Sequence, residues 1–212
     1  MSGLLIKELL YIRKQGKTLL ITLIFYGVFF LFMGGSKYSV DSMTGVVISI
    51  MVMLTVALTI NTFAYDEAAK WDNFVKSLPI SIRGIVGSKY LFAVILSAIG
   101  VVLSCMIELI TLHGQVKLED LAAICAGTGA APMMLCSILL PLFYKFGPYK
   151  ARFAFMILLV VPFAAVLLMK RAGFSMTGEQ VLLLLKLSPV ILLVIVAASY
   201  LISCGIYERK EV

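Results

Sequence analysis

The sequence predicts an all-α, polytopic membrane protein: one domain, residues 1–212, crossing the bilayer with six helices. Three observations carry this. Of the 212 residues, 62% are hydrophobic, whereas a soluble domain is nearer half apolar and a chain this short cannot hide the excess in a core. The apolar residues fall into long runs, each reaching or approaching the ~20 residues that cross ~30 Å of hydrocarbon. The charges gather between those runs. Helices are then forced, because an open strand edge in lipid leaves backbone groups without partners.

The N-terminal segment, residues 1–17, carries Lys7, Arg13, Lys14 and Lys17 against the single acid Glu8. Leu5, Leu9 and Ile12 share one helical face, and Lys7, Tyr11 and Lys14 another. This spacing predicts an amphipathic helix in the membrane interface with its lysines near anionic headgroups. A signal peptide is the rival, since a basic start precedes an apolar run, but the basic region is long and five further spans follow. The spans read as about Thr18–Gly34, Thr44–Ala64, Lys89–Leu112, Leu121–Tyr144, Arg152–Met169 and Val181–Ile206. Basic residues set the orientation: thirteen of the eighteen lie on one side and five on the other. The richer side is cytoplasmic by the positive-inside rule, which places both termini there.

Between spans two and three runs the longest polar interruption, YDEAAKWDNFVKSLPISIRGIVGSKY, Tyr65 to Tyr90. Trp71, Phe74, Val75 and Leu78 recur at i, i+3, i+4 and i+7, which lines one face of a short helix, with Lys70, Asp72, Asn73 and Lys76 opposite. Leu78-Pro79 ends it, since proline has no amide hydrogen and pushes the preceding residue out of the helical region. Ser81 stands at an N-cap position for a second helix that runs on into span three. A loop between two spans needs only a few residues, so this helix is an addition: it either lies on lipid or is gripped by a cytosolic partner.

Within the spans polar residues are few. Asn61 and Thr62 end the second span, placed to hydrogen-bond a neighbouring helix. Glu108 is the one acid well inside an apolar run, which makes it a candidate for contact with an ion or substrate. It also lies about a turn from His113, where a carboxylate can snorkel to the interface. The fourth span combines Gly127, Gly129, Ala130 and Ala131 with Pro132 and Pro141, a pattern for close packing and kinks. The last carries Ser199, Ser203, Ile206 and Tyr207 at helical spacing, a stripe suited to a helix–helix contact, in the chain or across a dimer.

Several functions are unsupported. The four cysteines, Cys105, Cys125, Cys136 and Cys204, all lie in apolar spans without C-x-x-C pairs, and they read as small apolar side chains, not a disulfide or metal set. His113 is the single histidine. The net charge of +7 is spread along the flanks of the spans, not gathered into a nucleic-acid patch. No G-x-x-x-x-G-K-[ST] phosphate loop occurs, and Gly34-Gly35-Ser36-Lys37 has the wrong spacing, so the chain is not expected to bind ATP itself. Nor is there a G-x-S-x-G elbow, an H-E-x-x-H pair or a cluster of carboxylates.

Three patches resemble one family. In the loop, Asp66, Lys70, Trp71, Ser77, Leu78, Pro79, Ile80, Ser81, Ile85, Val86, Ser88, Lys89 and Tyr90 match a pattern of small bacterial type-2 ABC transporter permeases, similar to exporters of peptide toxins or bacteriocins. Ile82 departs from it, where a basic residue is common. Pro141, Leu142, Tyr144, Lys145, Phe146, Gly147, Lys150 and Arg152 match a second stretch, with Pro148 in place of a more ordinary residue. Ser199, Ser203, Ile206 and Tyr207 match a third. The resemblance implies a cytoplasmic coupling loop, 66–88, whose helix seats in a groove of a separate ABC ATPase present in two copies. Asp66, Lys70, Trp71, Phe74, Val75, Leu78 and Pro79 are the coupling residues it implies. ATP and magnesium belong to that partner, and no cofactor to this chain. It further implies a second permease subunit, here a homodimer, in the bacterial cell membrane, exporting hydrophobic or amphipathic cargo with amphipathic peptides favoured. A membrane scaffold or sensor that transports nothing remains an alternative. So does a proton-coupled carrier using Glu108, though neither a second buried acid nor an inverted repeat supports it.

Overall fold

In a computed structural model, the structure describes residues 2–17, 21, 24, 28, 40–75, 77, 79–111, 118–171 and 178–211. These are helical with short connections, and no strand occurs among them. The helices are α1 (Ser2–Lys14), α2 (Val40–Ala68), α3 (Trp71–Val75), α4 (Ile82–Thr111), α5 (Leu118–Arg171) and α6 (Gly178–Glu211). Most of the expected first span lies outside the described residues. Four segments among them are long and apolar enough to cross a membrane: Ile48–Ala68, Ile82–Ile107, Cys125–Ala151 and Pro189–Arg209.

The α5 segment packs against α2, α4 and α6 and is the hub of the bundle. Apolar burial drives little helix association in lipid, so close fit and hydrogen bonds do that work here. Most buried hydroxyls are satisfied on their own helix: Thr55 Oγ1 donates to the Met51 carbonyl, Ser97 Oγ to Ala93, Ser104 Oγ to Gly100 and Ser137 Oγ to Met133. This back-bonding lets polar side chains sit in the interior without unsatisfied groups. Between helices, the Tyr90 hydroxyl of α4 lies 2.6 Å from Ser199 Oγ and 2.9 Å from Ser203 Oγ of α6. Ser199 Oγ also reaches the Ser137 carbonyl of α5. The serine stripe of the last span is thus occupied within the chain, and it ties three helices at one point.

Two local conformations differ from the sequence expectation. The backbone of α5 stays helical through Pro132 and Pro141 and leaves helical values at Gly147, with φ 76° and ψ 165°. That region of the map is open essentially to glycine alone. Pro148 follows as the first residue of the next helical stretch, where its missing amide hydrogen costs no bond and its φ is already helical. The break therefore falls at a Gly-Pro step instead of within the fourth span. The second difference is at Lys70, which adopts φ 51°. Its left-handed turn closes α2 and separates it from α3, with Lys70 N bonded to the Glu67 carbonyl at 3.0 Å.

Candidate functional site

The loop helix is shorter than its apolar spacing predicts. Asp66 belongs to the last turn of α2, and only Trp71–Val75 forms α3 after the Lys70 turn. Ser77 Oγ closes its far end by donating to the Phe74 carbonyl at 2.7 Å. Ser81 takes the N-cap role expected of it, accepting the Gly84 amide hydrogen on its Oγ at 3.3 Å. This bond satisfies one of the orphan amides that begin α4.

The apolar stripe splits in two. Val75 is buried in the core with Ile85, Phe143 and Tyr144, and Trp71 packs against the same cluster. Phe74 points away and is 56% exposed, beside exposed Asp72 and Asn73. A five-residue helix turns through more than one face, so one side anchors it to the bundle and the other is presented outward. Pro79 is exposed, and Leu78 lies outside the described residues.

Beneath α3 is a cluster that the sequence reading missed. Lys7 and Glu8 of α1 meet Asp66 of α2 and Lys89 of α4. Lys7 Nζ lies 2.8 Å from Asp66 Oδ1 and 3.1 Å from Glu8 Oε1. Lys89 Nζ lies 2.6 Å from Asp66 Oδ2 and 2.8 Å from Glu8 Oε1, and donates to Thr62 Oγ1 at 3.1 Å. Each ammonium touches two carboxylates and each carboxylate two ammoniums, so the formal charges balance. Such closure is what offsets the cost of taking four charges from water. Glu8 is fully buried; the ammoniums approach its Oε1 without hydrogen-bond alignment, and its Oε2 has no partner. Glu8 therefore depends on charge attraction more than Asp66 does.

Aromatic rings complete the surround. Lys7 Nζ sits 4.2 Å from the centroid of Trp71, and Lys89 Nζ 4.7 Å from that of Phe63, both within the range of cation–π attraction. Tyr11 stacks on Tyr65 at 5.3 Å. The Tyr11 hydroxyl is pushed up to about 12, first by burial and then by the Asp66 carboxylate, so at neutral pH it remains a protonated donor beside the acids. Helix α1 thus turns Lys7 into the bundle instead of toward headgroups, while Arg13, Lys14 and Lys17 stay exposed. Its polar stripe of Lys7, Glu8 and Tyr11 faces the bundle, and Ile6, Leu9 and Leu10 face outward. The reason is the strength of four mutually paired charges compared with a lysine at a headgroup, worth ~1 kcal/mol. The missed signal was Glu8 itself, a lone acid among cations three residues before Tyr11.

Next to the cluster opens a cavity of about 240 Å³, lined among others by Asp66, Lys70, Trp71, Lys89, Gly147 and Tyr207. Phe63, Tyr144 and Tyr207 form its aromatic back wall, Phe63 and Tyr207 each edge-on to Tyr144 at 5.2 and 5.5 Å. The α5 break thus meets the α3 end of the molecule. Of the other predicted residues, Asn61 is half-buried on α2 outside the cluster, while its neighbour Thr62 makes the bond to α4. The Glu108 side chain lies outside the described residues. Among those described, no group of three or more His, Cys, Asp or Glu is placed to hold a metal ion.

A family profile described as ABC-2 family transporter protein matches residues 3–208, and the chain belongs to that family. It is an integral membrane protein and a permease component of an ABC transporter, a system whose ATPase is a partner. No curated protein and no solved structure gives a significant match.

Proposed function

We propose that the chain is the membrane permease subunit of a bacterial ABC exporter, and that α3 is the helix through which a separate cytosolic ATPase drives it. One observation carries the reading: the division of α3 between an anchored side, Val75 and Trp71, and a presented side, Phe74 with Asp72 and Asn73. A helix resting on lipid would turn its apolar side to the bilayer, whereas here part of that side is locked into the bundle and an aromatic ring is left outside. In the mechanism that follows, Phe74 enters a groove of the ATPase. Binding of ATP and magnesium in the partner draws two ATPase copies together and displaces α3. Lys7, Asp66 and Lys89 pass that displacement to α1, α2 and α4 at once, since no one of these helices moves without breaking buried ion pairs. The spans then tilt within a permease homodimer and release hydrophobic or amphipathic cargo, amphipathic peptides being the favoured class.

The test compares Phe74→Ala with Val75→Ala in the complex with the partner ATPase. An aromatic anchor at an interface is worth ~2 kcal/mol or more, which is at least about thirtyfold in affinity. Phe74→Ala is expected to lose ATPase capture and export while keeping the melting temperature of the permease. Val75→Ala is expected to lower the melting temperature first. Full capture and full export by Phe74→Ala would overturn the assignment of α3.

A further inference from the structure

At the end of the bundle remote from α3, Cys105 of α4 and Cys125 of α5 face each other with their sulfurs 3.3 Å apart. From the start of α4 to Cys105 the helix rises roughly 35 Å at 1.5 Å per residue, so this pair is separate from the charged cluster. The contact belongs to a continuous antiparallel seam. One turn further in, a Cβ built on Gly129 would lie 3.3 Å from Val101 Cγ2. Residue pairs 105/125 and 101/129 are successive layers, each helix advancing by four residues in opposite directions. The missing side chain at Gly129 lets the two backbones close on each other and brings the thiols together. Both cysteines are half-buried, within reach of a small molecule, whereas Cys136 and Cys204 are buried and face no other cysteine among the described residues.

We propose that Cys105 and Cys125 are a site of oxidative modification, a thiol pair that a peroxide converts to a disulfide stapling α4 to α5. One thiol, losing its proton to water, attacks a peroxide oxygen; the O–O bond breaks, and a sulfenic acid and hydroxide form. The second thiol then attacks the sulfenic sulfur, the S–O bond breaks and water leaves. Overall two thiols give up two electrons and two protons, and one hydrogen peroxide becomes two waters. The link closes a segment of 20 residues and fixes the seam in the closed form that Gly129 permits.

The experiment counts thiols on the chain in its native membrane. Membranes are treated with hydrogen peroxide, denatured in detergent with arsenite, which returns sulfenic acids to thiols and leaves disulfides intact, and tagged with a polyethylene glycol maleimide. The four tags of the untreated chain are expected to fall to two, and dithiothreitol to restore all four. A Cys136→Ser/Cys204→Ser variant should go from two tags to none, and Cys125→Ser should keep its three. Gly129→Leu, which spreads the seam, should keep four. Four tags on the treated parent, a loss that dithiothreitol does not reverse, or the same loss in Cys125→Ser would each overturn the proposal.

Discussion

Lys89 is the residue on which the α3 end of the molecule turns, because among the described residues it alone joins α4 to both carboxylates. Removing one partner of a buried ionic group leaves the others uncompensated, a cost of about 3–5 kcal/mol. Lys89→Met is therefore expected to lower the melting temperature of the purified permease sharply, and Lys89→Arg to lower it far less. Adding Glu8→Met to Lys89→Met removes one charge of each sign, and the double variant should recover much of the loss. A double-mutant cycle by thermal unfolding checks this, and simple additivity would show that Glu8 and Lys89 are independent. The sequence showed Lys89 only as part of a Ser-Lys-Tyr match and as a basic flank of span three. Nothing in periodicity says that a lysine turns inward; that depends on acids 81 residues before and 23 before it meeting at one place, which is a fact of packing.

At the scale of the element, Gly147 decides the shape of α5. An alanine there keeps the small size but must adopt φ 76°, and residues held in such regions cost of order 1–3 kcal/mol. Space is not the obstacle, since a Cβ would meet only Glu67 Oε1 at 3.9 Å. Gly147→Ala is expected to destabilise by about that amount in thermal unfolding, whereas Pro148→Ala, at a helical start, should cost less. Equal losses from the two would place the strain in the Pro148 packing instead. The existence of this break was legible as the interval between the spans read at Leu121–Tyr144 and Arg152–Met169. What was not legible is how little chain it takes: helical values hold up to Gly147 and resume at Pro148, so one residue makes the break. For α3 the reverse holds: the i, i+3, i+4 spacing was legible and gave the right place, but spacing cannot say that Val75 turns to the bundle while Phe74 turns outward.

For the whole molecule, hydropathy was the legible quantity, and four of the expected spans coincide with long apolar helices. The helical class follows from lipid chemistry, so it needed no knowledge of contacts. Orientation is a separate matter, resting on the thirteen-to-five distribution of basic residues. It is tested by single cysteines at Ser42 and Asn73 in a chain lacking the native four, exposed in intact cells to an impermeant thiol reagent. The expected outcome is labelling at Ser42 and none at Asn73. Labelling at Asn73 alone would reverse the topology and remove α3 from the reach of any cytosolic ATPase.

The square of charges also fixes a sequence of events in time. Glu8 is synthesised 81 residues before its partner Lys89. At roughly 5–20 residues per second that interval is about 4–16 s. Before it ends Lys7 can already meet Asp66, but throughout it Glu8 lacks the second of its two ammonium partners. Closure of the four charges is consequently a late step of biogenesis, completed only after the third span has been delivered to the membrane. A nascent chain halted before residue 89 should leave the Glu8 carboxylate open to carbodiimide modification, and one halted well beyond it should protect that same carboxylate.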